Sequence, residues 1–317
     1  MAQQLSKPVY LIDSSIYIFQ SHFSPYIECL DKNGNDLSAV YGFSQFLLQF
    51  LRRVKPRHIA LAHDESLFSG FRHSLCPNYK SNRELPDENL ALQLRACSEL
   101  GTLLGLASYS SKQYEADDII GTLATSLREG ETGSITVEVV SRDKDLAQLL
   151  RDDSDCLWDY SGNKRRHRDD VYAEYGIHPE QFPDYLGLVG DSVDCISGVP
   201  GVGPVKAREL LRQFESMEGI YRNLDKVSAL PLRGASRLGE VLLEHQELAQ
   251  LSKVLATIVC DVSATTEDYV GVDLAAMRNT GPDREGLRDF LSSYKFNDGE
   301  SRRLMMLADS LQAAPSP

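Results

Sequence analysis

The chain has 317 residues, and 33 Lys plus Arg against 46 Asp plus Glu give a formal net charge of −13. Hydrophobic content of 42% with 25% charged residues is that of a globular protein and excludes a largely disordered chain, and no apolar run approaches the roughly 20 residues of a membrane span. Taken alone, −13 points to a cytoplasmic enzyme of small molecules, because nucleic-acid binders are more often basic.

In chain order, the polar start from Met1 to Lys7 lacks the apolar stretch of a signal peptide. Pro8 to Asp13 then reads as a short buried strand ending in a carboxylate. Phe43, Phe46, Leu47, Phe50, Leu51 and Val54 form one apolar helical stripe. His58 to His63 is the next strand, followed by Asp64, and a polar stretch with Gly70, Pro77 and Pro86 leads to a helix over Asp87 to Leu104. Another helix starts near Glu115, and Ile135 to Val140 is a third strand, followed by Ser141-Arg142-Asp143. Strands alternating with helices imply a mostly parallel sheet covered on both faces. Beyond Tyr172 helices dominate, over Pro179 to Val189, Pro204 to Phe214, Glu240 to Ile258 and Arg284 to Tyr294. The expected division is an α/β core over 1–175, a helical region over 176–297 and a short tail over 298–317. Six scattered cysteines without a Cys-x-x-Cys pair suit free thiols in a reducing, cytoplasmic compartment.

Charge is unevenly spread. From Leu37 to Arg83 the bases Arg52, Arg53, Lys55, Arg57, Arg72, Lys80 and Arg83 face only Asp64 and Glu65, a net +5. A second basic cluster runs from Lys164 to Arg168, and the two runs together in an acidic protein suggest sites that meet phosphate.

Three strands end in acids: Asp13, Asp64, and Asp143 with Asp145. In an open parallel sheet, function collects beyond the carboxyl ends of the strands. Glu115-Ala-Asp117-Asp118 at a helix start and Asp191-Ser-Val-Asp194 add to the set, making nine acids. So many carboxylates cannot all stay ionised without cations. Hard oxygen donors with no Cys or His set suit two Mg²⁺ or Mn²⁺ ions, the standard device for cleaving phosphodiesters. Lys80 and Arg83, a helical turn apart, could place positive charge on a phosphoryl transition state. Gly198-Val-Pro-Gly201-Val-Gly203-Pro-Val-Lys206 opens a helix whose amides could face an anion, as in a helix–hairpin–helix gripping a duplex backbone.

These segments in this order resemble the bacterial 5′-nuclease family, which includes the 5′→3′ exonuclease domain of DNA polymerase I, stand-alone homologues and flap endonucleases. The matching stretches are Leu11-Ile-Asp13-Ser-Ser, His63-Asp64 with Phe71-Arg72, and Tyr79-Lys80-Ser-Asn-Arg83. They continue with Glu115-Ala-Asp117-Asp118-Ile-Ile-Gly121, Asp143-Lys-Asp145-Leu, Gly190-Asp191-Ser-Val-Asp194 and the glycine hairpin. The resemblance implies a PIN-like α/β nuclease core with a helical arch and a helix–hairpin–helix region. It implies metal-dependent 5′→3′ exonuclease and 5′-flap endonuclease activity by a two-metal mechanism, on DNA with 5′ ends, flaps or nicks, and a monomeric protein.

Carried over by position, Asp13, Asp64, Glu115 and Asp117 resemble the first metal site, and Asp143, Asp145, Asp191 and Asp194 the second. Asp118 is grouped with them as an acid of the bacterial branch. Lys80 and Arg83 resemble the catalytic bases of the arch. Phe19, Arg72, Tyr79, Gly198, Gly201, Gly203 and Lys206 are the expected DNA contacts, Phe19 by stacking on a terminal base. The usual Asp-Asn-Ile-Pro-Gly reads here Asp194-Cys195-Ile196-Ser197-Gly198, which bears on hairpin geometry and on the potassium ion the family can bind there. A flap-binding module without catalysis would need a broken acid set. A PIN-type ribonuclease would lack the stretch from Asp191 to Ala207.

Overall fold

The computed structural model describes residues 7–130, 135–262 and 267–311. Six strands form one sheet: β1 (Lys7–Asp13), β2 (His58–Asp64), β3 (Ala107–Ser111), β4 (Ile135–Val140), β5 (Cys156–Asp159) and β6 (Lys164–Arg166). Their spatial order is β3-β2-β1-β4-β5-β6, with every neighbour parallel except β6, which pairs antiparallel with β5. The helices of the first half are α1 (Ser14–His22), α2 (Ser38–Val54), α3 (Phe71–Leu75), α4 (Glu88–Leu103) and α5 (Ala116–Gly130). The second half adds α6 (Arg168–Tyr175), α7 (Phe182–Val189), α8 (Pro204–Phe214), α9 (Met217–Arg222), α10 (Leu224–Val227), α11 (Ala235–Glu244), α12 (Gln246–Ala256), α13 (Arg284–Ser293) and α14 (Asp298–Asp309).

The central strands are apolar on both sides because helices cover both faces. Val9 and Leu11 of β1, Ala60 and Ala62 of β2, and Val137 and Val139 of β4 share one face with Ile119, Ile120 and Leu123 of α5. Ile12, Ile59, Leu61 and Val140 pack on the other face against Phe43, Leu47 and Phe50 of α2 and Leu100 of α4. The first of these cores runs on without interruption into the helical half through Phe182, Leu210 and Leu242.

The parallel sheet with helices agrees with the sequence reading, and β4 and α8 fall on the expected bounds. Strands β3, β5 and β6 were missed because they are short and weakly apolar: Ala-Ser-Tyr-Ser-Ser, Cys-Leu-Trp-Asp and Lys-Arg-Arg. The single helix expected over Glu240 to Ile258 is two, since His245, at φ −108° and ψ 23°, caps both α11 and α12. The arch between β2 and α4 holds the five-residue α3 and a series of turns, so Lys80 and Arg83 sit on turns and not on a helix.

The expected tail over 298–317 is corrected. Its first part is α14, whose Leu304 and Ala308 are fully buried in the core that also contains α2. The terminal Ala-Ala-Pro-Ser-Pro lies outside the described residues. No helix among the described residues is long and apolar enough to cross a membrane.

Candidate active site

Parallel strands end at a common edge, so Asp13 closing β1 and Asp64 closing β2 are brought together there. The order in which strands are added reverses between β1 and β4, and the crevice at such a switch point is where ligands bind in open α/β sheets. Ser141, immediately after β4, ties the two strands. Its Oγ donates to Asp13 Oδ2 at 2.8 Å and accepts the Asp143 N–H at 3.0 Å. The Asp145 N–H then donates to Asp143 Oδ1 at 2.9 Å. Glu115 and Asp117 enter from the start of α5. Asp191 and Asp194 enter from the loop after α7, which is closed by reciprocal Asp191–Ile196 backbone hydrogen bonds of 2.8 Å each.

The resulting field is strongly negative. Burial, reinforced by Asp143 and Asp64, pushes Asp13 up to about 7. Burial and Asp143 do the same to Asp145, also to about 7, while Asp117 rises well above the usual carboxylate range and Asp64 rises through burial and Glu115. Burial opposes the ionisation of Glu115, but Lys80 and Arg72 outweigh it and hold that carboxyl low. Lys144 likewise keeps Asp191 low against its burial.

Cations of the chain lie on these acids. Lys80 Nζ is 2.8 Å from Glu115 Oε1 and 3.7 Å from Asp194 Oδ2, and Arg83 donates to Asp194 Oδ1 at 2.8 Å. Lys144 donates to Asp191 Oδ2 and stands 3.2 Å from Asp145 Oδ1, an ion-pair distance without hydrogen-bond alignment. The arch turn is also pinned through its backbone, with Lys80 N–H on Asp194 O at 3.0 Å and Asn82 Nδ2 on Val193 O at 3.1 Å.

Among the described residues no three carboxylate, His or Cys side chains converge closely enough to hold one ion as they stand. The donor set nevertheless fits divalent cations. It is all oxygen, four of its members are raised by crowding and burial, and Asp145 Oδ1 is buried without a hydrogen bond.

Several expected contacts are placed differently. Asp118 is fully buried, its carboxylate spent on Arg72 and on backbone amides, so it faces no metal position. Arg72 is 3% exposed and cannot reach a DNA backbone. Tyr79, also buried, donates from its hydroxyl to Glu115 Oε2 at 3.0 Å, and its ring lies 4.9 Å from Lys80 Nζ, so it supports the lysine and does not touch DNA. Gly198 is packed against the end of α7 at φ +65°, where an added Cβ would stand 2.3 Å from Gly190 N; this glycine closes the loop instead of meeting a phosphate. Gly201 and Gly203 do face open space at the start of α8, and Lys206 folds back to Gly201 O at 2.7 Å.

Phe19 is half-buried on α1, its ring stacked 6.3 Å from that of the exposed Phe23. The cluster from Lys164 to Arg168 is taken up by the fold. Lys164 and Arg166 pair with Glu174, Arg165 Nη1 donates to both carboxylate oxygens of Glu138, and Arg168 pairs with Glu180. Ser141 and Lys144 were missed in the sequence. Position beside Asp143 and Asp145 was the only signal, and it does not say which way a side chain turns.

Two family models match in succession: the 5′-3′ exonuclease N-terminal resolvase-like domain over residues 8–186 and the 5′-3′ exonuclease C-terminal SAM fold over 177–285. The chain belongs to the 5′-3′ exonuclease family. Among its relatives, DNA polymerase I of Bacillus subtilis is 35% identical over 297 residues, covering 92% of this chain and 32% of that protein. The 5′-3′ exonuclease of Buchnera aphidicola subsp. Schizaphis graminum is 34% identical over 258 residues, covering 81% of this chain and 88% of the relative. The chain therefore spans about a third of the polymerase and most of the exonuclease. In solved structures, the bacteriophage T5 D15 flap endonuclease, in a complex with DNA and metal ions, superposes with a TM-score of 0.61 at 17% identity. The match covers 95% of this chain and 99% of that one, and it shows a shared fold.

Proposed function

We propose that this chain is a 5′→3′ exonuclease and 5′-flap endonuclease that hydrolyses DNA phosphodiesters with two divalent metal ions, Mg²⁺ or Mn²⁺. The observation that carries the reading is the convergence of eight carboxylates from five chain segments at one sheet edge, with Lys80 and Arg83 reaching onto them. Asp13, Asp64, Glu115 and Asp117 would hold one ion, and Asp143, Asp145, Asp191 and Asp194 the other. Bound there, divalent ions supply Lewis acidity toward the phosphoryl oxygens.

The chain's own groups do the rest. Lys80 and Arg83, which reach over these acids, would meet the non-bridging oxygens of the scissile phosphate, and the Tyr79 ring supports Lys80. The exposed backbone at Gly201 and Gly203 with Lys206 holds the duplex backbone without reading sequence. Phe19, with Phe23 beside it, stacks on a terminal base. A potassium ion at the hairpin carbonyls belongs to the same reading. The test is turnover of a 5′-flap DNA with Mg²⁺ by Asp145→Ala and Lys80→Ala. Each is expected to lose about 10²–10³-fold in kcat, the scale of removing one transition-state partner. Wild-type turnover by both would overturn the site assignment.

A further inference from the structure

We propose that Arg72, Asp118 and Gln148 are positioning residues that clamp one stretch of chain, Leu255 to Val259, where α12 ends and runs into extended backbone, between the two acid-bearing elements and thereby set their separation. This rests on the metal-holding reading of those acids. Leu255 and Ala256 close α12, leaving C-terminal carbonyls without helical partners, and Thr257 to Val259 belong to no sheet, so these backbone groups need side-chain partners. Odd and even residues find different ones. Arg72 Nε donates to Leu255 O at 2.9 Å, Arg72 Nη2 to Thr257 O at 2.7 Å, and Asp118 Oδ1 accepts the Val259 N–H at 2.8 Å. Gln148 takes the even residues: its Nε2 donates to Ala256 O at 3.1 Å and its Oε1 accepts the Ile258 N–H at 2.9 Å.

Each clamp is joined to a metal-site acid. Asp118 Oδ2 accepts the Glu115 N–H at 3.0 Å, and Arg72 Nη1 lies 3.3 Å from Glu115 Oε2. The second amide hydrogen of Gln148 goes to Asp145 O at 3.0 Å. The odd-numbered residues thus tie the stretch to the Glu115 group and the even-numbered ones to the Asp145 group.

Saturation excludes the alternative roles. With bonds of 2.6 and 2.8 Å to Asp118, the Arg72 guanidinium makes four hydrogen bonds from its five N–H groups and adds an ion pair to Glu115. The Asp118 carboxylate accepts four hydrogen bonds, its full capacity. Asp118 therefore has no lone pair left for an ion, and Arg72, buried among these partners, is closed to a phosphate. The clamp also reaches the DNA-binding half, because Ser252 of α12 accepts the Gly198 N–H at 3.2 Å.

The test compares Gln148→Met, similar in length and without the amide, and the paired apolar exchange Arg72→Met with Asp118→Leu, against the unaltered chain. Mn²⁺ binding without DNA is followed by electron paramagnetic resonance, with kcat and KM on a 5′-flap DNA and thermal denaturation alongside. Outer partners of metal ligands are worth about 10–100-fold in metal affinity or activity. We expect Mn²⁺ affinity and kcat to fall on that scale in both variants with KM unchanged, at temperatures where they are folded. Arg72→Lys, which keeps the charge and loses the fork, should not restore affinity. Folded variants with wild-type Mn²⁺ affinity would overturn the proposal, and so would a loss confined to KM, which would return Arg72 to direct DNA contact. If the apolar pair fails to fold, Gln148→Met decides alone. Failure of the underlying reading has a separate signature: no Mn²⁺ binding by the unaltered chain.

Discussion

Charge crowding at individual residues has a measurable consequence. Asp13 and Asp145 sit near 7 in the ion-free protein, and Asp64 and Asp117 are raised with them. A carboxyl whose folded pKa exceeds its unfolded value of about 3.9 binds more protons folded than unfolded. The stability it contributes is therefore complete below about pH 4 and is lost as pH rises through its folded pKa. Glu115 and Asp191, held low, carry the opposite sign, and their contribution is lost only as pH falls below the ordinary carboxylate range. Thermal melting in EDTA should thus show a midpoint that falls between about pH 5 and pH 7.5, and Mg²⁺ should raise it more at the higher pH. A flat profile would show that the acids do not crowd one another. Cys195 is a second residue-scale case. It stands at φ +56° where Asn is the residue usual in the family, and Asn tolerates the left-handed region better. Cys195→Asn is expected to stabilise by under about 1 kcal/mol in urea titration.

At the scale of elements, the basic strand β6 shows how a charge run can mislead. Lys164 to Arg168 looked available to DNA, but β6 lies antiparallel on β5, which puts Arg165 within reach of Glu138 and 3.9 Å over the Trp158 ring. Arg165→Ala should cost about 1 kcal/mol, since the pair is partly exposed, and should leave the salt dependence of DNA binding unchanged. α14 misled in the other direction. Its sequence is polar overall, yet Leu304 is 1% exposed against the core. Leu304→Ala is expected to lower the unfolding free energy by about 2–4 kcal/mol, measured by urea denaturation. A value near zero would make 298–311 the tail that composition suggested. α2 and α8 were legible because each carries a full apolar stripe at helical spacing, whereas β3 and β5 have too few residues to display any period.

For the whole molecule, one apolar core joins Val9 and Val139 of the sheet to Phe182, Leu210 and Leu242 of the helical half. Unfolding should accordingly be a single cooperative transition by both tryptophan fluorescence and circular dichroism; two resolved transitions would mean that residues 1–175 fold by themselves. The sequence by itself determined the parallel sheet, its acid-tipped strands and the family, because strand ends and motif order are local properties of the chain. It also showed that the distribution of charge mattered more than the total of −13. Only the tertiary structure decided which charges are free. Arg72 and Asp118 read as functional groups exposed to ligand, and the fold spends their bonds on each other, on Glu115 and on the backbone from Leu255 to Val259. Such saturation depends on partners about 140 to 185 positions away, a separation that no local pattern of residues can encode.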